Sequence, residues 1–133
     1  MSGNITAFGP RMANTIFVQV YLQATQSNFS ETIESYFYAY RLTGDRIYQE
    51  RAWYAFEHIS KVTRSSYGFS AIRDVMSLDG GGKRNEQESF WLAETLKYLY
   101  LIFDDTERLS LDEWVFNTEA HPLKRGREVN WQT

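Results

Sequence analysis

Three carboxylates in this chain sit beside aromatics or at element boundaries instead of on plainly solvated charged faces: Glu31, Glu94 and Glu119. Phe90 precedes Glu94 by four residues, so on a helix the two lie on adjacent turns of one face. Thr118 stands next to Glu119 and offers hard oxygen atoms of the kind that calcium and sugar hydroxyls both favour. Carboxylate pairs that flank a glycosidic bond can protonate the leaving oxygen and activate a water, and an aromatic ring beside them can stack on a sugar. A sugar site is therefore one reading of these residues. The other is structural: Glu31 complements the dipole of a helix first turn, Glu94 lies on a rim, and Glu119 caps a turn.

Other chemistries have less support. His58 has no histidine four residues on, and His121 precedes Pro122 in an extended segment, so both read as hydrogen-bonded structural residues. No Gly-x-Ser-x-Gly elbow occurs. Asp79-Gly80-Gly81-Gly82-Lys83 lacks the GK[ST] ending of a phosphate loop and reads as a flexible connection. The absence of cysteine excludes disulfides and thiolate metal sites. A net charge of -3 with no basic cluster argues against a nucleic-acid partner. The longest nearly apolar run, Tyr98–Phe103, is far too short for a transmembrane segment, and the N-terminus lacks the build of a signal peptide. Asn4-Ile5-Thr6 and Asn28-Phe29-Ser30 are formal glycosylation sequons, relevant only in the secretory pathway.

These residues must be positioned by helices. A chain of 133 residues has the length of one domain, and its 17% aromatic content supplies a large apolar payload. Residues 1–27 read as loop with a short strand at Ile16–Tyr21. From Glu31 to about Leu42, Ile33, Tyr36, Phe37 and Tyr40 share one side of a helix, with Ser30 as N-cap and Gly44 as stop. Asp45 caps a second helix running to about Val62, antiparallel to the first. Ser65–Ser77 reads as loop or a short hairpin, and a third helix spans about Asn85–Phe103. An exposed polar turn at Asp104–Ser110, an extended Trp114–Phe116 and a polar tail from Lys124 complete the chain.

In order along the chain, Glu31-Thr32-Ile33-Glu34-Ser35 running into Tyr36–Asp45, then Asp79-Gly80-Gly81-Gly82, Glu88–Tyr98 and Trp114–Pro122, resemble the late part of class I α-1,2-mannosidases, glycoside hydrolase family 47. The resemblance covers about residues 30–124, leaving 1–29 as a non-matching N-terminal segment and 125–133 as a tail. It implies an all-α fold: part of an (α/α)7 barrel of helix hairpins with short β-hairpin and loop insertions. It also implies an inverting, calcium-dependent glycosidase that trims α-1,2-linked mannose from high-mannose N-glycans in the secretory pathway. On that resemblance Glu31 matches the general base, Phe90 the aromatic beneath the sugar ring, and Thr118 the calcium ligand. Glu94 and Glu119 match carboxylates that contact substrate or calcium-bound water. Two departures follow. Phe29-Ser30 stands where the family usually has Arg-Pro, and the hairpins that carry the general acid and another essential Asp are absent. The expectation is a fragment inactive alone. The alternative is a non-catalytic helical fragment that binds calcium, glycan or protein.

Overall fold

A computed structural model describes residues 26–74 and 76–126. The strand expected at Ile16–Tyr21 lies outside them, as does the tail beyond residue 126. Helix α1 spans Gln26–Thr43 and α2 spans Ile47–Thr63. A π-helical turn, Trp91–Thr95, leads into α3, Leu96–Phe103, and an antiparallel pair follows: β1, Trp114–Phe116, and β2, Pro122–Lys124. Among the described residues no helix is long and apolar enough to cross a membrane.

The α1–α2 turn follows from three local devices. Gly44 takes φ +69° and donates its N–H to the Tyr40 carbonyl at 2.8 Å, a left-handed exit that glycine adopts without steric penalty. Thr43 Oγ1 donates to the Ala39 carbonyl at 2.6 Å and accepts the Asp45 N–H at 3.2 Å. Asp45 Oδ1 then accepts the Ile47 N–H at 3.0 Å, the expected cap on the second helix. With so short a break, α2 folds back along α1, and both pack against α3.

Three expectations need correction. Ser30 is not an N-cap: α1 already begins at Gln26, and the Ser30 hydroxyl is engaged elsewhere. The third helix does not run unbroken from Asn85; helical backbone begins at Ser89, and the π turn gives the Leu96 N–H the Trp91 carbonyl as partner. The glycine run, expected to be a flexible connection, is hydrogen-bonded to the Arg73-Asp74 segment. Gly80, Gly81 and Gly82 all take positive φ, and the Gly80 carbonyl accepts from Arg73 N at 3.0 Å and Asp74 N at 2.9 Å. Isolated bridges, Arg64 to Phe69 and Ile72 to Lys83, fasten the excursion between α2 and the π turn. The Phe69 ring lies 5.0 Å from that of Trp91, at the foot of the π turn.

The core is an aromatic and aliphatic layer contributed by the three helices, with Phe116 of β1 packed against it. Ile33 and Phe37 of α1, Ala52 and Ala55 of α2, and Tyr98, Leu101 and Ile102 of α3 are buried. Phe37 lies 5.2 Å from the Tyr98 ring and 5.6 Å, edge-on, from Phe116 of β1. These separations suit tilted and T-shaped pairs. Arg41 closes the far end: its guanidinium sits 5.1 Å over the Phe37 ring and donates to the carbonyls of Leu101, Asp105, Thr106 and Arg108. One side chain of α1 thereby satisfies carbonyls at the α3 terminus and shapes the turn that follows. Asp104, expected to be exposed, is half-buried and pairs with Arg108 at 2.7 Å.

Candidate functional site

Charge converges where the first half of α1 meets the π turn. Glu31 is exposed on α1, and Glu34, three residues on, is half-buried on the same helix. Glu94 comes from the π turn, also half-buried. Ser30 Oγ donates to Glu94 Oε2 at 2.7 Å, bridging 64 residues of sequence. Burial pushes the Glu34 carboxyl above the usual carboxylate range; the like charges of Glu94 and then Glu31 add to this, and the Tyr98 hydroxyl partly offsets it. Burial likewise pushes the Tyr98 hydroxyl up, with the Glu34 charge next in importance. Three carboxylates and a buried tyrosine thus share one electrostatic neighbourhood.

Glu34 is the residue that sequence reasoning missed. It was visible within Glu31-Thr32-Ile33-Glu34, where a spacing of three puts both carboxylates on one face. It reads as ordinary helix polarity until the π turn brings Glu94 against that face. Phe90 is half-buried and immediately precedes the π turn, on the same element as Glu94.

Thr118 and Glu119 occupy the loop between β1 and β2, both exposed. Asn117 organises this loop: its side-chain Oδ1 accepts the N–H of Glu119 at 3.1 Å and of His121 at 2.8 Å. Ala120 is fully buried at φ +56°, and Lys97 Nζ of α3 donates to its carbonyl at 2.8 Å. A non-glycine residue held in the left-handed region beneath an ammonium fixes the loop against the helix that follows Glu94. Among the described residues, no hydrogen bond or ion pair joins Glu31 or Glu94 to Thr118 or Glu119. The two groups are related through Phe37, Tyr98 and Phe116.

Among the described residues no group of three or more His, Cys, Asp or Glu side chains could hold a metal ion. The donor chemistry of the loop is compatible with a hard cation, since neither the Thr118 hydroxyl nor its carbonyl makes a hydrogen bond among the described residues. Both histidines have a local partner. His58 Nδ1 lies 2.8 Å from the Tyr54 carbonyl with the two rings 4.0 Å apart, and His121 Nδ1 lies 3.4 Å from Asn117 Nδ2.

Residues 18–125 match glycosyl hydrolase family 47, a match that begins upstream of Ser30. Over 94 residues the chain is 54% identical to mannosyl-oligosaccharide 1,2-alpha-mannosidase MNS1 of Arabidopsis thaliana, covering 71% of this chain and 16% of that protein. It is also 54% identical, over 95 residues, to the endoplasmic reticulum mannosyl-oligosaccharide 1,2-alpha-mannosidase of Homo sapiens, covering 70% of this chain and 14% of that one. Among solved structures, the alpha-1,2-mannosidase from Trichoderma reesei superposes with a TM-score of 0.66 at 44% identity. That superposition covers 69% of this chain and 20% of the other. The chain therefore spans less than a fifth of the length of the curated relatives it matches. It belongs to glycosyl hydrolase family 47.

Proposed function

We propose that this chain forms the base-bearing part of a mannosyl-oligosaccharide 1,2-α-mannosidase, an inverting, calcium-dependent glycosidase of the secretory pathway acting on high-mannose N-glycans. The observation that carries the reading is the convergence of Glu31, Glu34 and Glu94 on one surface of a segment 54% identical to enzymes of that name. Glu31 is the candidate general base: it is exposed on α1 and free to approach a water. Glu94 and Glu119 are suited to accept hydrogen bonds from sugar hydroxyls, and Phe90 to lie against a ring face. Thr118 would hold calcium through its hydroxyl and carbonyl, with water or substrate oxygens completing the shell. When bound, the ion supplies fixed positive charge for orienting sugar hydroxyls. Calorimetric titration of calcium into the chain and into Thr118→Ala tests that assignment.

Inversion needs an acid as well as a base, on opposite sides of the scissile bond. In this reading the acid belongs to further hairpins of an (α/α)7 barrel, and the 133 residues alone release no mannose from α-1,2-mannobiose. Grafting residues 30–124 into the corresponding segment of the Trichoderma reesei enzyme provides the positive test. The graft is expected to hydrolyse α-1,2-mannobiose, and Glu31→Gln within it to reduce turnover by about two orders of magnitude or more. An active Glu31→Gln graft would sink the assignment.

A second reading has an observation of its own. Trp53 and Phe103 meet edge-on at 6.0 Å and both stay about half exposed, an apolar contact point suited to a protein neighbour. A non-catalytic fragment that binds protein, calcium or glycan predicts an inactive graft together with retained calcium or partner binding.

A further inference from the structure

The Ser30–Glu94 bond is neither a helix cap nor a surface contact. Ser30 is 2% exposed, and its donor crosses from α1 to the π turn. The separation of 2.7 Å is ordinary for a hydroxyl donor and meets the upper edge of the range for a charge-assisted bond to a carboxylate. A glutamate has three rotatable bonds, and a half-buried one would otherwise trade positions between the protein and water. Anchoring one oxygen of Glu94 leaves the other free for a ligand and fixes where the negative charge stands.

We propose that Ser30 is a positioning residue that holds the Glu94 carboxylate beside Glu34, so that the carboxylate surface keeps one arrangement with or without ligand. Among the described residues, Glu31, Glu34 and Tyr38 from α1 and Tyr98 from α3 belong to the same electrostatic neighbourhood; the Lys97 ammonium of α3 is taken up by the Ala120 carbonyl. None of these donates a hydrogen bond to Glu94 Oε2, which Ser30 holds. Burial chiefly raises the Glu34 carboxyl, and the nearby Glu94 charge adds to it. If the tether is cut, Glu94 can swing outward and that influence weakens.

The inference deepens the reading of this surface as the carboxylate site and rests on that reading only for the identity of the ligand. Its readout requires no turnover, so it fails separately from the hydrolase assignment. The measurement is a carbon-detected NMR titration of the Glu34 side-chain carboxyl in the full 133-residue chain. Ser30→Ala is expected to move the Glu34 midpoint down towards the ordinary carboxylate range, and Ser30→Thr, which keeps the hydroxyl, to restore it. Glu94→Gln should also lower the midpoint, and in that background Ser30→Ala should have no further effect. A merely structural serine would not show that dependence. If Ser30→Ala does not fold, Ser30→Cys carries the same expectation, since a thiol keeps the volume but donates weakly. An unchanged Glu34 midpoint in a folded Ser30→Ala or Ser30→Cys chain overturns the proposal. So does a Ser30→Ala effect that survives in Glu94→Gln.

Discussion

The two faces of the helical layer are built from the same residue types and end up opposite in character. On the face that α1 and α3 present to the β1–β2 pair, Phe37 is fully buried between Tyr98 and Phe116. On the outer side of α2, Trp53 packs on Phe56 at 5.5 Å and meets Phe103 edge-on at 6.0 Å, yet Trp53 stays 51% exposed. An aromatic cluster is thus not evidence of a core. What separates the two is a third element. Phe116 of β1 covers one cluster, while among the described residues nothing covers the other. The carboxylates lie with the sealed face, where fixed surroundings can hold charges at set distances.

Truncation should separate the two clusters most sharply. Phe37→Ala is expected to destabilise by about 3–5 kcal/mol, and Trp53→Ala by about 1 kcal/mol or less, in urea unfolding. Equal losses would mean that both faces are sealed in solution. The glycine turn offers an intermediate effect. At Gly81, φ is +61° and an added Cβ would stand 2.7 Å from Asp74 Cβ, so Gly81→Ala should cost about 1–3 kcal/mol. Amide exchange at Arg73 and Asp74, whose N–H groups bond to this turn, should quicken with it. No change would restore the picture of a slack connection.

The smallest effect concerns Glu34. Its folded carboxyl lies above the ordinary range, so the native state binds that proton more tightly than the unfolded chain does. The stability this contributes is present below the unfolded value and lost as pH rises through the folded one. Glu34→Gln should therefore flatten the acid-to-neutral stability profile and stabilise slightly at neutral pH. The gain stays under about 1 kcal/mol, because water still screens a half-exposed group. Urea midpoints at acid and neutral pH check it. A residue that destabilises its own fold in this way is typical of a site kept for chemistry.

Local features were legible in the sequence. The Thr43-Gly44-Asp45 break, the two long helices and the buried faces of Ile33 and Phe37 follow from spacing and turn chemistry within a few residues. Long-range features were not. Ser30 reads as a cap because its partner is 64 residues away. The π turn is invisible to a periodicity count, since one widened turn leaves the apolar pattern nearly intact. The glycines read as slack because composition does not reveal that each is used at positive φ. For the candidate site, Glu31, Glu94 and Thr118 are proposals that rest on residue type and family resemblance. Glu34 emerged only once three dimensions placed Glu94 against it.

The Arg41 hub has a consequence for the order of assembly. Its four carbonyl acceptors lie between 60 and 67 residues further along the chain. Such contacts are rewarded only after a long loop has closed, so α1 and the end of α3 should become fixed together and late. The closure penalty grows only logarithmically with loop length, about 0.6 kcal/mol per doubling. The excursion between α2 and the π turn can therefore lengthen or shorten between relatives while the hub, and the carboxylates on its helices, keep their places.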